Sequence, residues 1–175
     1  MKTYFHPKQK LHHPRTYLSR GQMRTPQEIP ERVVQILKGI AALGLTVSEP
    51  EDHGKEPLLA IHDAAYLQYL ETAHAIWKQT GPDWGDEVIS NIFVRSPNAL
   101  RGILAQTARY LADGSCPVGP DTYTSSYWAA QAAVSAATAQ QKAARQQQHP
   151  QQASLESTTE QSSLQIASAG VANQS

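Results

Sequence analysis

The clearest pattern of hydrophobic and polar positions in the chain is helical and covers residues 61–77. In the stretch IHDAAYLQYLETAHAIW, apolar side chains recur every three or four residues and share one face. They are Ile61, Tyr66, Tyr69, Leu70, Ala73 and Trp77. Asp63 can cap the start of this helix, because its carboxylate accepts backbone N–H groups that lack a partner in the first turn. The pattern predicts an amphipathic helix whose apolar face packs on a core.

Similar patterns predict further helices and two short strands elsewhere in the chain. The predicted helices are residues 31–43, Leu100–Leu111 and Tyr123–Ala139, and the predicted strands are Lys2–His6 and Leu45–Val47. Lys8–Pro30 and Glu51–Pro57 are predicted to be polar loops, and Val88–Val94 an extended segment. A proline suits the first position of a helix, so Pro30 marks the start of residues 31–43. The order of strand, loop, helix and strand predicts a parallel β–α–β unit and an α/β fold class.

Composition changes sharply after residue 139. All tyrosines, tryptophans and phenylalanines lie before residue 129, and from Gln140 onward the chain is mainly Gln, Ser, Ala and Thr. Such a segment buries too little apolar area to offset the entropy lost on ordering. We therefore expect a folded region over residues 1–139 and a disordered tail over residues 140–175.

Charge and cysteine content exclude several classes of function. The 175 residues include fifteen basic and fifteen acidic side chains, so charge indicates neither a nucleic-acid partner nor an anionic membrane. The start of the chain is polar, which predicts no signal peptide, and no apolar run approaches the roughly 18 residues that span a bilayer. The single cysteine, Cys116, allows no internal disulfide and favours a reducing cytoplasm.

Seven histidines invite a metal-site hypothesis that their spacing does not support. A helical zinc pair needs two histidines four positions apart, as in His-Glu-x-x-His, and this sequence has none. Each histidine is therefore predicted to be structural or solvated; they are His6, His12, His13, His53, His62, His74 and His149. The acidic cluster of Glu49, Glu51 and Asp52 is predicted to be a solvated turn. The residues alone give no complete catalytic constellation.

Four stretches of the chain carry a resemblance to a known family. They are KTYFHP with LHHPRTYL, IPERVVQILKGIAALGL, IHDAAYLQYLETA, and RYLADGSCPVGPDTY with YWAAQAAVSAA. In this order they resemble the first strand and entrance loop, the first core helix, the His-Asp-x-x-Tyr-Leu signature and the following helices of the histone deacetylase family. The closest likeness is to its acetylpolyamine amidohydrolase branch, and it covers the N-terminal portion of that domain, from Met1 to about Ala139.

This resemblance implies an arginase–deacetylase type α/β fold and a zinc-dependent enzyme that removes acetyl groups from acetylpolyamines or acetyl-lysine. It implies that residues 12–17, here called the entrance loop, help to shape the substrate funnel through His12, His13 and Tyr17. The family's Pro-Pro-Gly-His-His and Asp-x-Asp-x-His-His-Gly segments are absent from this sequence. No catalytic or metal residue is therefore assigned, and the chain is expected to bind no zinc and to be inactive alone.

Several alternatives follow from this partial likeness. A sheet with few strands is expected to be marginally stable, to expose apolar surface and to self-associate. A complementing C-terminal half could come from a second chain, and the change of composition near residues 139–142 suggests a reading-frame shift or gene truncation. The alternative function is a non-enzymatic helical interaction module that recruits partners through its Gln-rich tail.

Overall fold

The computed structural model of the chain describes residues 2–95 and 100–148. The chain divides into two units, Met1–Ser135 and Ala136–Ser175. The strands are β1 (Thr3–Tyr4), β2 (Tyr17–Ser19), β3 (Gln22–Arg24) and β4 (Val47–Ser48). The α-helices are α1 (Pro30–Ala42), α2 (Glu56–Leu59), α3 (Ala64–Thr80), α4 (Ile103–Tyr110) and α5 (Thr122–Gln148), and a 3₁₀ turn covers Pro7–Lys10. The mixed α/β class is as predicted.

The first and fourth strands form the parallel pair that the sequence order predicts. Thr3 lies opposite Val47 and Tyr4 opposite Ser48, with α1 between the two strands in the chain. Pro30 is the first residue of α1, where its missing N–H leaves no intrahelical bond unmade. The β–α–β unit is therefore confirmed, although each strand is only two residues long and β4 begins later than the predicted Leu45.

The prediction that Lys8–Pro30 is a plain loop is wrong, because it contains the 3₁₀ turn and an antiparallel hairpin. β2 and β3 pair in register, with Leu18 opposite Met23. Arg20 and Gly21 connect them with φ angles of 51° and 74°. Two successive positive φ values are typical of a type I′ turn, whose twist matches that of the flanking strands. The usual sequence of such a turn is Asn-Gly or Asp-Gly, and arginine rarely occupies the first position. Only the glycine of this signal is present in the sequence.

The core lies on α3, as the helical pattern predicts. Asp63 caps the helix, and its carboxylate accepts the N–H of Ala65 at 2.8 Å. Buried side chains pack together from α3, α4 and the segments around them; they are Tyr69, Ala73, Trp77, Val88, Ile103, Leu111 and Val118. Ile61 was expected on this apolar face, but it precedes the helix and is 81% exposed. The predicted face is otherwise confirmed, with Tyr66 and Leu70 partly buried at its edge.

Two polar links join the elements of this core. Val88 and Val118 form an antiparallel bridge with N···O distances of 2.9 and 3.0 Å. Val88 is the first residue of the predicted extended segment, Val88–Val94, and it is the residue of that segment that forms a β-bridge. The Tyr69 hydroxyl donates to the hydroxyl of Thr107 in α4 at 3.2 Å. Burial raises the pKa of Tyr69 to about 12, because a buried phenolate would lose its hydration. The phenol therefore stays neutral in its hydrogen bond.

The last helix is longer than the aromatic part of the sequence predicts. It continues without a break to Gln148, so residues 140–148 of the predicted tail are helical. Alanine and glutamine both have high helix propensity, which offsets the poor burial of this segment. His149 and the remainder of the predicted tail lie outside the described residues, and its disorder stays a prediction. None of the helices described here is long and apolar enough to cross a membrane.

The first helix contrasts with α3, because none of its residues is buried. Val33, Leu37 and Ile40 of its predicted apolar stripe are half-buried, whereas Ile36 and Leu43 of the same stripe are exposed. Val47 in the neighbouring strand β4 is also exposed. The part of the structure around α1 and the parallel strands therefore presents apolar side chains to solvent.

We expect replacement of Trp77 by alanine to destabilise the chain by about 3–5 kcal/mol, the range measured for large aromatic residues in cores. Trp77 is buried, lies edge-on to Trp84 with ring centroids 4.5 Å apart, and donates its indole N–H to the Gly85 carbonyl at 2.9 Å. Urea unfolding followed by circular dichroism measures the change. Ile61→Ala is the control and should change stability by about 0.5 kcal/mol or less. Equal losses for the two variants would show that α3 is not the core.

Candidate functional site

The residues of the predicted entrance loop line two neighbouring grooves. A groove of about 380 Å³ is lined by His12, His13, Lys78, Asp86 and Glu87, among others. A second groove of about 400 Å³ is lined by His12, Tyr17, Glu28 and Cys116, among others. The structure thus brings His12 beside Tyr17 in one groove and beside His13 in the other. Their part in substrate entry stays a prediction.

His12 is the best-anchored side chain of the entrance loop. Its Nδ1 lies 2.9 Å from the hydroxyl oxygen of Thr122, the first residue of α5. The same hydroxyl accepts the backbone N–H of Gly119 at 2.8 Å, which fixes the hydroxyl in front of the helix. Burial lowers the pKa of His12 below its ordinary value of 6.5, while the carboxylates of Glu87 and Glu28 act in the opposite direction. The imidazole is therefore neutral near pH 7.

The backbone of the entrance loop is held by one carboxylate. Glu87 accepts the N–H of Arg15 at 2.9 Å and the N–H of Thr16 at 3.4 Å, one with each oxygen. Beyond the loop, the N–H of Leu18 donates to the carbonyl of Gly114 at 3.0 Å. Sequence analysis missed Glu87, because its partners are backbone groups about seventy positions earlier in the chain. The only local signal is a carboxylate directly before the segment that begins at Val88.

The charged side chains of the first groove neutralise one another. Asp86 lies 3.7 Å from the guanidinium of Arg15 and 3.4 Å from the ammonium of Lys78. The His74 Nε2 donates to the backbone carbonyl of Asp86 at 2.9 Å. Arg15 and Asp86 are exposed and Lys78 is only half-buried, so each ion pair contributes little to stability. The groove can therefore offer both donors and acceptors to a polar ligand, without a strong net charge.

Two other histidines serve the structure rather than a groove. His6 stacks on Trp128 with ring centroids 3.6 Å apart, and its Nδ1 accepts the N–H of Lys8 at 3.1 Å. Its Nε2 lies 3.3 Å from Glu49. The Nε2 of His53 lies 2.9 Å from the hydroxyl of Ser135, a contact that joins the loop before α2 to α5. The structural role predicted for these two histidines agrees with the contacts.

A fully buried glutamine completes the contact between α5 and the loop before α2. The Gln131 side chain accepts the N–H of His53 at 2.8 Å and donates to the carbonyl of Gly54 at 3.0 Å. Nearby, the Tyr127 hydroxyl donates to the carboxylate of Asp52. Burial, followed by this hydrogen bond, raises the pKa of Tyr127 to about 12, and the same hydrogen bond lowers the pKa of Asp52. The three acidic residues Glu49, Glu51 and Asp52 are exposed, as predicted.

The described residues do not fit a zinc site. Within residues 2–95 and 100–148, no group of three or more His, Cys, Asp or Glu side chains is placed to hold a metal ion. Catalytic zinc takes three protein ligands at about 2.0–2.3 Å. Cys116 is exposed, and its thiol contacts the carbonyl of Asp113 rather than an imidazole.

Comparison with known proteins gives consistent matches. The chain is 61% identical over 137 residues to an acetylpolyamine amidohydrolase of Burkholderia pseudomallei, a match that covers 78% of this chain and 40% of the relative. It is 34% identical over 135 residues to acetylpolyamine amidohydrolase 1 of Pseudomonas aeruginosa, covering 73% of this chain and 38% of the relative. An acetylpolyamine amidohydrolase of Mycoplana ramosa is 32% identical over 140 residues, with 78% and 41% covered. No protein-family profile matches the chain.

The fold is matched by a crystal structure of the acetylpolyamine aminohydrolase from Burkholderia pseudomallei, with a TM-score of 0.76 and 60% identity. That match covers 79% of this chain and 41% of the solved chain. The fold therefore matches part of the mixed α/β domain of that solved structure. The chain is a homologue of the acetylpolyamine amidohydrolases, so the predicted resemblance to that branch is confirmed. It spans about 40% of the length of the curated relatives it matches.

We expect Glu87→Ala to speed amide hydrogen exchange at Arg15 and Thr16 by about tenfold, since a hydrogen bond to a charged group contributes about 1.5 kcal/mol or more. Nuclear magnetic resonance of the labelled chain measures these two amides directly. Glu87→Gln keeps one acceptor oxygen and should give an intermediate rate. Unchanged exchange in Glu87→Ala would show that this carboxylate does not hold the entrance loop.

We expect His12 to titrate below pH 6.5 in the folded chain, because burial disfavours its charged form. As pH falls below 6.5, the unfolded chain binds a proton at this group more readily than the folded chain does. The group therefore lowers the free energy of unfolding below pH 6.5 and leaves it unchanged at higher pH. Titration of the histidine ring resonances measures the midpoint, and loss of one resonance in His12→Gln assigns it. A midpoint at or above 6.5 contradicts the burial described here.

Proposed function

We propose that this chain carries the entrance loop and helical scaffold of a zinc-dependent deacetylase domain that acts on acetylated amines, and that it is inactive by itself. One observation supports this most strongly: the 61% identical amidohydrolase matches 78% of this chain, yet only 40% of the relative is covered. The match therefore leaves most of the relative without a counterpart in this chain.

The proposed inactivity follows from the need of this reaction for a zinc ion. A zinc ion in such an enzyme acts as a Lewis acid on water and on the amide carbonyl. The ligands that would hold zinc are not found among the described residues, and the Pro-Pro-Gly-His-His and Asp-x-Asp-x-His-His-Gly segments are absent from the sequence. Metal ligands and proton-transfer groups would therefore have to come from a part of the domain outside this sequence. Acetylpolyamines and acetyl-lysine are both suitable substrates for the completed domain.

The groove supports a role in substrate entry. His12, His13 and Tyr17 line it, and the backbone between them is fixed by Glu87. A preorganised loop can admit a narrow chain without losing conformational freedom at the moment of binding. The free thiol of Cys116 suits a reducing compartment, and we place the chain in the cytoplasm on that ground. The alternative of a non-enzymatic helical module is not favoured, because the similar proteins are enzymes.

We expect the purified chain to hold less than stoichiometric zinc after dialysis and to release no acetate from acetylputrescine or an acetyl-lysine peptide. Elemental analysis and a coupled acetate assay measure the two quantities. The full-length amidohydrolase of Burkholderia pseudomallei, assayed in parallel, is the positive control. One zinc per chain together with deacetylation would contradict the proposal that this chain is inactive alone.

A further inference from the structure

We propose that the exposed apolar side of α1, together with the parallel pair β1 and β4, is the docking surface for a separate polypeptide. That polypeptide is equivalent to the part of the Burkholderia pseudomallei amidohydrolase that this chain does not match. The inference rests on the proposed function and deepens it, because it names the surface through which the complementing part attaches. We call Ile36, Leu43 and the β1–β4 pair the open face.

The helix supplies the first argument. Ile36 and Leu43 are seven positions apart, so they project from the same side of α1, and they are 58% and 75% exposed. One residue step away, about 100° around the helix, Gln35 and Ala42 have the same spacing and are also exposed. The other apolar positions of α1, Val33, Leu37 and Ile40, are half-buried, and no residue of the helix is fully buried. An apolar stripe of this kind usually faces a core, and its exposure marks an interaction surface.

The sheet supplies the second argument. β1 and β4 pair in parallel with each other, and no further strand of the described residues joins them. Parallel sheets are nearly always covered on both faces and contain several strands, because their crossover helices lie on those faces. Val47 in β4 is exposed instead. The sheet thus has open edges and an apolar side chain in the same part of the structure as α1.

The identity of the occupant follows from the comparison of lengths. The solved homologue matches 79% of this chain at a TM-score of 0.76, but only 41% of that homologue is covered. Its larger remaining part has no counterpart here. A second copy of this chain is the competing occupant, and it would leave that remaining part of the homologue unrepresented. A strand-and-helix polypeptide from the uncovered part can extend the sheet in parallel.

The test is co-expression of the full 175-residue chain with the uncovered part of the Burkholderia pseudomallei enzyme. We expect a one-to-one complex, with slower amide hydrogen exchange in residues 33–43 and 46–48 than in the chain alone. The double variant Ile36→Glu with Leu43→Glu should raise the dissociation constant at least tenfold, because it places two charges in an apolar contact. The matched control is Gln35→Glu with Ala42→Glu, which adds the same charges at the same spacing about 100° around the helix and should bind like the unchanged chain.

Four results would overturn the docking surface: no complex, equal effects of the two double variants, no protection of residues 33–43, or a homodimer that the first variant disrupts. The exchange measurement uses the unchanged chain, so it remains decisive if a variant folds poorly. Deacetylation of acetylputrescine by the complex tests the proposed function separately. A complex that needs the open face but releases no acetate would refute the function and keep the surface. Acetate release that the Ile36→Glu and Leu43→Glu variant leaves unchanged would support the proposed function and refute the docking surface.

Discussion

The packing of α3 against the bridged segments at Val88 and Val118 is the interaction on which the rest of the structure depends. Ala73 is completely buried at its centre, with Tyr69 and Trp77 on either side along the helix. Through the loops next to Val88 and Val118, the same core positions Glu87 and the Gly119 backbone that hold the entrance loop. Disruption of this helix would therefore release the groove as well as the core.

Apolar side chains are buried around α3 and exposed around α1. Around α3, polar groups such as the Tyr69 hydroxyl and the Trp77 indole N–H have partners and apolar groups are buried. Around α1 and the parallel strands, apolar groups are exposed and the sheet has two short strands. The chain covers only about 40% of its homologues' length. The exposed apolar groups around α1 are consistent with the proposed docking of the remaining part on this helix.

Sequence analysis predicted those elements whose signals are local and repeated. Residues 64–77 of α3, its Asp63 cap and the order of β1, α1 and β4 follow from periodicity and capping, although the helix begins and ends three residues later than the predicted stretch 61–77. The hairpin was missed because its strands have three residues each, too few for an alternating pattern. Glu87 could not be found from sequence, since its partners are backbone groups that leave no trace in residue type. Residues 140–148 were misassigned because composition and helix propensity give opposite indications there.

Amide hydrogen exchange along the whole chain, measured in the absence of any partner, compares the packing of α3 with that of α1. A chain with a closed core on α3 and an open face on α1 should exchange slowly at residues 67–77 and much faster at residues 33–43, although both segments are helical. Equal protection of the two helices would contradict the claim that α1 lacks its packing partner. Fast exchange throughout residues 67–77 would contradict the claim that α3 forms a core by itself.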